Sequence, residues 1–179
     1  MILVVAATAR ELNGLEVETL ACGIGPVEAA AVTARALSLR RPDSLLHVGI
    51  AGGREIEPPT LVLGSEAVYE DLAGDLAATM PRIERVEPDG RMLAAARAAL
   101  PDALVLPIGT TARVGAASVC RVEAMEGFAV LRAAALAGVP ALELRAISND
   151  PDERDRGLWR FEEAFGALHE ATTRLLSAL

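Results

Sequence analysis

Residues 44–53, SLLHVGIAGG, decide the fold class, because a short apolar run leads there directly into a glycine-rich corner. Residues 44–48 have the continuous apolar character of a strand that is buried on both faces of a sheet. Strands of this kind belong to α/β proteins, in which the loops at strand ends often carry function. The glycine-rich corner is therefore a candidate edge of a functional site.

Further apolar runs alternate with longer helical patterns on both sides of this stretch. Pro26 begins one helical pattern in the first turn, where its missing N–H costs nothing, and Gly138 ends another. The pattern predicts strands over residues 2–7, 15–21, 44–48, 61–69, 104–108 and 139–147, and helices over residues 26–39, 89–100, 125–137 and 158–179. We therefore expect one domain over residues 1–179, a three-layer α/β sandwich with a mostly parallel central sheet.

Composition and charge limit the partners. The chain has 179 residues and a formal net charge of −8, and all 17 of its basic residues are Arg, with no basic segment to neutralise phosphates. The apolar start lacks the basic flank of a signal peptide, and no apolar run reaches about 18 residues. We expect a cytoplasmic protein without nucleic-acid or membrane partners. Cys22, Cys120, His47 and His169 form no metal-binding motif, so no metal is expected.

A glycine turn, Gly23-Ile24-Gly25, stands between a predicted strand and a predicted helix. This is the context of a dinucleotide-binding fingerprint, but Glu28 stands where that motif needs Gly or Ala. A carboxylate there would crowd the helix and repel a pyrophosphate. A tight turn that uses the dihedral freedom of glycine is the better interpretation.

Polar side chains follow several of the predicted strands, at the edge where open α/β sheets bind ligands. Glu11 follows the first strand, and it is either a first-turn helix residue or a catalytic group. Glu126 begins an apolar helix, where its carboxylate needs either backbone donors or a sugar diol. Asn149 and Asp150 end the last strand, either as an Asx turn before Pro151 or as ligands of a substrate.

Taken in order, these features resemble those of the nucleoside phosphorylase/nucleosidase superfamily. The resemblance rests on Glu11, on Gly23-Ile24-Gly25, and on the segments at residues 48–53, 123–127 and 145–149. It covers nearly the whole chain and is strongest to the futalosine-hydrolysing nucleosidases of the alternative menaquinone route. Methylthioadenosine/adenosylhomocysteine nucleosidases are similar. The resemblance implies hydrolysis of a purine nucleoside without a cofactor, by a homo-oligomer.

The resemblance also implies a role for each matching residue. Glu11 matches the acid that activates the attacking water, and Glu126, after Met125, matches the carboxylate that holds the ribose hydroxyls. Adenine-releasing relatives have an Asp directly after Ile-Ser, where this chain has Asn149, an amide suited to a 6-oxopurine such as hypoxanthine. A shift of one residue in the loop would present Asp150 instead, so both remain candidates.

The same resemblance separates hydrolysis from phosphorolysis. Phosphorylases of the superfamily bind phosphate through an Arg and a Ser near the glycine-rich corner, where this chain has His47 and Ile50. Ile50 cannot donate a hydrogen bond and a neutral His is a poor substitute for a guanidinium, which favours hydrolysis. Ile50 and Gly52 are accordingly expected to line the substrate site.

The resemblance implies a role for Trp159, which follows the polar loop at the spacing where related nucleosidases have an aromatic side chain against the 5′ substituent. Trp159 is expected to stack on the aryl group of futalosine, and Arg154 or Arg156 to meet its carboxylate. A core role for Trp159 is the alternative. An adenine-releasing nucleosidase, a phosphorylase and a non-catalytic nucleoside-binding module remain rival functions.

Overall fold

The centre of the molecule is a strand, Ala141–Asn149, in which all nine residues are buried. The computed structural model describes residues 1–72, 82–115 and 118–179. Its strands are β1 (Ile2–Ala6), β2 (Glu18–Ala21), β3 (Ser44–Gly53), β4 (Leu61–Tyr69), β5 (Arg85–Val86), β6 (Leu104–Thr110), β7 (Val122–Ala124) and β8 (Ala141–Asn149). Its helices are α1 (Ala9–Leu12), α2 (Pro26–Leu39), α3 (Gly90–Ala99), α4 (Gly127–Ala137) and α5 (Phe161–Leu176). Short 3-10 helices lie at Glu70–Leu72 and Arg156–Leu158.

The sheet is mixed, and part of it closes into a ring. β1 pairs in parallel with β2 and β3, and β3 pairs in parallel with β8. β8 then pairs antiparallel with β4, β4 parallel with β6, β6 parallel with β7, and β7 antiparallel with β3. The prediction of an α/β domain is confirmed, whereas the sheet is mixed and its antiparallel pairings, β3 with β7 and β4 with β8, close part of it into a barrel-like ring.

Long, bent strands explain the difference, because each can pair with different neighbours at its two ends. β3 pairs with β8 from Leu45 onward, shifts register between Ala51 and Gly52, and pairs with β7 at Gly52 and Gly53. β4 shifts register beside β6 between Gly64 and Glu66. A bulge in a strand increases its bend and twist, which lets the sheet curve until its edges meet.

Helices cover the sheet on two sides. α3 and α5 pack with β1, β3 and β8 in one apolar cluster that includes Leu46, Leu144 and Leu168. α2 and α4 form a second cluster against the opposite side chains of the same strands, such as Leu3 and Leu45. β8 is covered on both faces, so its polar residues Glu143 and Arg145 are buried together with its apolar ones.

Several element boundaries differ from those expected from the sequence. β2 begins at Glu18 instead of residue 15, and β3 continues through the glycine-rich corner to Gly53. The last helix begins at Phe161, after a 3-10 turn, instead of residue 158. Gly138 ends α4 with a φ of 70°, as predicted. Over the described residues, no helix combines the length and apolar character needed to cross a membrane.

Candidate active site

A cavity of about 230 Å³ opens where β1, β3, β7 and β8 end. The strand ends supply its polar wall, and its rim comes from the turn after β2, the loop after β6 and α5. Its lining comprises Ala7, Thr8, Glu11, Ile24, Ile50, Ala51, Gly52, Val114, Glu123, Ala124, Met125, Glu126, Ser148, Asn149, Pro151, Trp159 and Phe165. Segments that are distant in the sequence thus meet in one crevice.

Glu11 is held by three donors at the end of β1. The chain leaves β1 and begins the short helix α1 after Thr8, in a capping box that brings Glu11 back over the strand end. Its Oε2 accepts hydrogen bonds of 2.9 Å from both the backbone N and the Oγ1 of Thr8. Its Oε1 accepts from the backbone N of Ile50 at 3.3 Å. The carboxylate is therefore fixed with one edge on the cavity.

Glu126 also lines the crevice, just before α4, and is 4% exposed. Its Oε1 accepts from the backbone N of Gly25 at 3.1 Å, and its Oε2 lies 3.8 Å from Nη2 of Arg145. Burial raises the pKa of this carboxyl above its ordinary value, although Arg145 and Gly25 act in the opposite direction. Glu126 thus has one backbone donor, whereas Glu11 has two.

The glycine turn at residues 23–25 supplies the backbone donor of Glu126. Gly23 and Gly25 have φ values of 85° and 90°, which turn the chain so that the N–H of Gly25 points to the carboxylate. A Cβ on Gly23 would overlap the side chain of Glu28, which therefore fills the space beside the turn. Glu28 thus occupies the space beside the turn that a dinucleotide-binding motif leaves open with Gly or Ala.

Arg145 lies beneath the cavity in a network that the sequence analysis did not assign. Its guanidinium is 1% exposed, and Nε donates to Oε1 of Glu143 at 2.8 Å. Nη2 lies 2.5 Å from Nε2 of His47, and Nη1 donates to the backbone O of Ile50 at 3.4 Å. One signal was available: Glu143 and Arg145 are two residues apart in an otherwise apolar strand, which places both on one face.

His47 is a neutral link in this network. It is fully buried, and its Nδ1 donates to the backbone O of Val5 at 3.0 Å, leaving Nε2 to accept from Arg145. Burial, and then the positive charge of Arg145, hold the pKa of His47 well below its ordinary range. Both ring nitrogens are occupied, so His47 is a core residue with its hydrogen-bonding groups satisfied.

Asn149 ends β8 with its amide on the cavity. Its Oδ1 accepts from Oγ of Ser148 at 2.8 Å, and its Nδ2 donates to the backbone O of Asp150 at 3.0 Å. Asp150 is exposed, its carboxylate accepts from the backbone N of Asp152, and it does not line the cavity. Of the two candidates for the base-binding position, only Asn149 lies in the crevice.

Trp159 lines the far end of the cavity, with its Nε1 donating to the backbone O of Glu153 at 3.2 Å. The ring of Trp159 packs at a tilt on Phe161, and the guanidinium of Arg156 lies 5.4 Å from its centroid. Arg154 does not line this cavity. It lines an adjoining cavity of about 400 Å³, which shares Val114, Pro151 and Trp159 with the first.

Glu123 is a buried carboxylate of the lining that the sequence analysis did not single out. It accepts from the backbone N of Gly115 at 2.7 Å and from Nη2 of Arg54 at 3.1 Å, while Nε of Arg54 lies 3.6 Å from Asp152. These contacts tie the loops after β6 and β8 to the end of β3. Within the described ranges, no group of three or more His, Cys, Asp or Glu side chains is arranged to hold a metal ion.

Comparison with known proteins gives consistent matches. The model of a family described as the phosphorylase superfamily matches residues 6–179. Futalosine hydrolase of Streptomyces coelicolor is 37% identical, over 90% of this chain and 79% of that protein. A 5′-methylthioadenosine/S-adenosylhomocysteine nucleosidase of Desulfotalea psychrophila is 35% identical over a shorter stretch, 34% of this chain and 27% of that protein.

Solved structures match the fold over nearly the whole chain. The native structure of futalosine hydrolase of Helicobacter pylori superposes with a TM-score of 0.86 at 16% identity, covering 99% of this chain and 97% of that one. The Streptococcus pneumoniae MTA/SAH nucleosidase in complex with 8-aminoadenine gives a TM-score of 0.82 at 21% identity, covering 99% of each chain. At these identities the likeness concerns the fold alone.

Proposed function

The chain belongs to the phosphorylase superfamily, and on that premise we propose that it is a nucleosidase that hydrolyses futalosine and releases hypoxanthine. The observation that carries the proposal is that Glu11, Glu126 and Asn149 line one cavity. Cleavage of an N-glycosidic bond needs a positioned water, a held sugar and a stabilised leaving base. The identity to the Streptomyces coelicolor futalosine hydrolase supports the choice of substrate.

Glu11 activates the water. Three hydrogen bonds fix its carboxylate, so it can hold a water on the cavity side without moving. As the bond between C1′ and the purine nitrogen breaks, the water oxygen bonds to C1′ and Glu11 takes the proton that the water loses. The sugar becomes a free hemiacetal, and the base leaves with the electron pair of the broken bond.

Glu126 and Met125 hold the ribose. The hydroxyl groups of a sugar diol are hydrogen-bond donors. The buried carboxylate of Glu126 can accept from them, because Oε1 has one backbone donor and the nearest nitrogen of Arg145 lies 3.8 Å from Oε2. A hydrogen bond to a charged acceptor strengthens as positive charge develops on the sugar ring. Met125 supplies an apolar contact beside it.

Asn149 binds the leaving base. An amide NH₂ carries two donors, and one of them is used by the backbone O of Asp150. The second can donate to O6 or N7 of a 6-oxopurine and stabilise the negative charge that develops there. Ser148 holds the amide oxygen, which fixes the direction of the amide nitrogen.

Water, and not phosphate, is the proposed nucleophile. The side chain of Ile50 lines the cavity and offers no hydrogen-bond donor. His47 is buried, neutral and occupied at both ring nitrogens, so it cannot take up an anion. The guanidinium of Arg145 is engaged by Glu143 and His47. Among the described residues, the positions of His47, Ile50 and Arg145 therefore offer a phosphate no free donor.

The 5′ substituent of the substrate lies toward Trp159, with Gly52 on the floor of the crevice. A flat side chain at this end can stack on an aryl group. Arg154 or Arg156, which both line the adjoining cavity, then meets a carboxylate carried by that group. We also propose that the protein is a homo-oligomer. Ile24 and Val114 line the cavity but are 64% and 49% exposed, and a second copy of the chain would cover this apolar surface.

One chromatographic assay tests the function. The protein is incubated with futalosine, inosine and methylthioadenosine, with and without phosphate, and the free base is identified. We expect hypoxanthine from futalosine at a rate that does not depend on phosphate. Adenine from methylthioadenosine, a requirement for phosphate, or the absence of any released base would contradict the proposal and would support the nucleosidase, phosphorylase or non-catalytic alternatives respectively.

A further inference from the structure

A buried charge cluster lies beneath the candidate active site, and its charges do not balance. Among the described residues, Arg145 is the cation shared by three carboxylates, those of Glu11, Glu126 and Glu143. His47, which also contacts Arg145, is neutral because burial and the guanidinium lower its pKa. The carboxylates therefore compete for one guanidinium, and the competition sets the charge of the groups that face the cavity.

Glu143 has the closest carboxylate contact with this guanidinium. Its Oε1 accepts from Nε of Arg145 at 2.8 Å, whereas Oε2 of Glu126 lies 3.8 Å from Nη2. Glu143 is fully buried and does not line the cavity. Its carboxylate packs against Gly127, where a Cβ would overlap it, and its Oε2 has no hydrogen-bond partner in the described structure. A buried oxygen left without a partner is costly, so an apolar residue would be expected here unless the charge had a use.

The direction of the guanidinium depends on this contact. With Nε held by Glu143, Nη2 faces His47 and Glu126, and Nη1 faces the backbone O of Ile50. A Cβ on Gly49 would overlap Nη1 and lie 3.0 Å from Oε1 of Glu11, so this end of Arg145 also lies close to Glu11. One side chain outside the cavity thus orients a cation toward both carboxylates inside it.

We propose that Glu143 is a positioning residue. It fixes Arg145 beneath the crevice and pairs with part of the positive charge of the guanidinium, which would otherwise act on Glu126 alone. The catalytic meaning of this role rests on the proposed function, but the electrostatic role does not. Glu143 reaches no substrate atom, and it acts through Arg145. Its effect is to keep Glu126 closer to its protonated state than the guanidinium alone would.

The groups that face Glu126 determine the sign of the effect. They are Glu11 from α1, Cys22 and Gly25 at the end of β2, His47 from β3, and Glu143 and Arg145 from β8. Burial raises the pKa of Glu126 most, Arg145 lowers it, and Glu143 raises it. Loss of the negative charge at residue 143 removes a repulsion and leaves more of Arg145 to Glu126. The pKa of Glu126 is then expected to fall.

The test is an NMR titration of the Glu126 carboxyl carbon in protein labelled at the glutamate side chains. The resonance is assigned by its loss in Glu126→Gln. Glu143→Gln keeps an oxygen acceptor for Nε but removes the charge, and Glu143→Leu removes both. Glu70→Gln is the matched control, because Glu70 is a buried carboxylate outside the site, bonded to Ser118 and the backbone of Cys120.

We expect the pKa of Glu126 to fall by about 1 in Glu143→Gln, which is a tenfold lower affinity of this carboxylate for a proton. It should stay unchanged in Glu70→Gln. An unchanged pKa in Glu143→Gln would overturn the proposal, whether or not Glu143→Leu folds. Because the titration needs no substrate, a wild-type protein that releases no base would contradict the proposed function while leaving this result readable.

A kinetic readout then separates positioning from mere structural support. In an active enzyme, Glu143→Gln should lower kcat about tenfold with KM nearly unchanged, because a less firmly held Arg145 no longer keeps Glu11 and Glu126 in the positions that the transition state needs. A proportional loss of folded protein with wild-type kcat per folded molecule would contradict the positioning role.

Discussion

Two glutamates of the same crevice differ in what surrounds them, and the difference fits two tasks. Glu11 is held by two donors from Thr8 and one from Ile50, which define a single position for an acceptor of a proton. Glu126 has one backbone donor and a more distant guanidinium, so burial dominates and raises its pKa. Hydrogen bonds fix the position of Glu11, whereas burial and the neighbouring charges set the pKa of Glu126.

Glu11→Gln should remove the base that takes the proton from water while keeping the side-chain shape. We expect kcat to fall by about 10²–10⁴-fold, with a much smaller change in KM. Steady-state release of hypoxanthine measures both. Glu16→Gln is the control, because Glu16 is exposed and outside the cavity, and it should retain full activity. Equal rates for the two variants would refute the assignment of Glu11.

Glu126→Gln should lower activity and yet stabilise the protein in a pH-dependent way. Burial raises the pKa of Glu126 above its ordinary value of 4.5, so its contribution to stability is present below that pH and is lost as pH rises through the folded-state pKa. The melting temperature of the Gln variant should match wild type near pH 4 and exceed it increasingly toward pH 8. Thermal unfolding across this range measures the gap, and a gap that does not grow with pH would contradict the assignment.

Asn149→Ala should lower kcat/KM for futalosine by about 10²-fold, because a donor to the developing charge on the base is lost. Asp150→Asn tests the other candidate: Asp150 is exposed and outside the cavity, so its change should alter kcat/KM by no more than about twofold. Competition kinetics on the two variants decide between the residues. A larger loss in Asp150→Asn than in Asn149→Ala would reverse the assignment.

At this scale the sequence predicted the residues at strand ends better than those within strands. Glu11 and Asn149 stand out because polar side chains there follow apolar runs, and the structure brings both to the cavity. Ile50 and His47, which contact Arg145, lie 95 and 98 residues away from it in the sequence, so the spacing of Glu143 and Arg145 indicates a shared face but not what that face contacts. Arg154 lines the adjoining cavity together with Asp152 and Glu153.

Among the elements, β3 allows the closest contact between side chains and backbone in the site, at Gly49. Gly49 lets the guanidinium of Arg145 and the carboxylate of Glu11 come together over the strand, where any Cβ would intrude. The glycine is needed for space and not for an unusual φ, since Gly49 is not among the positive-φ residues. This explains why a strand at the centre of a sheet continues into a glycine-rich sequence.

Gly49→Ala should therefore destabilise the fold by about 1–3 kcal/mol and reduce activity more than 10-fold, because the new methyl group displaces both functional side chains. Gly166→Ala is the matched control: Gly166 lies within α5 with no atom near its Cβ position, and the change should stabilise the fold by about 0.5–1 kcal/mol. Urea unfolding measures both. A destabilisation of the same size in the two variants would contradict the steric argument.

The longer elements were predictable and the short ones were not. α2 has its Pro at the first helical position and runs over the expected residues 26–39 because its start signal and its apolar face agree. β5 and β7 have two and three residues, too few to show a period. α1 has four residues and depends on the contact between Thr8 and Glu11. Tertiary pairing creates β5 and β7, and a single capping contact creates α1, so their sequences alone did not predict them.

For the whole molecule, the apolar runs indicated an α/β protein but not how its sheet closes. Closure depends on β7 pairing with β3 and on β4 pairing antiparallel with β8, both contacts between distant segments. Closure has a functional consequence, because it brings β7 to the same edge as β1, β3 and β8, with Glu123 in the strand and Met125 and Glu126 directly after it. An open, mostly parallel sheet would not require this meeting.

The most direct test of the central claim is hydrolysis of futalosine in H₂¹⁸O, with the released base and sugar analysed by mass spectrometry. If Glu11 activates a water while Glu126 holds the ribose and Asn149 the base, samples quenched before the sugar exchanges oxygen with solvent contain unlabelled hypoxanthine and a sugar that carries one ¹⁸O at C1′, formed at the same rate with or without phosphate. A sugar phosphate, an unlabelled sugar formed directly at the enzyme, or intact futalosine after prolonged incubation would contradict the account.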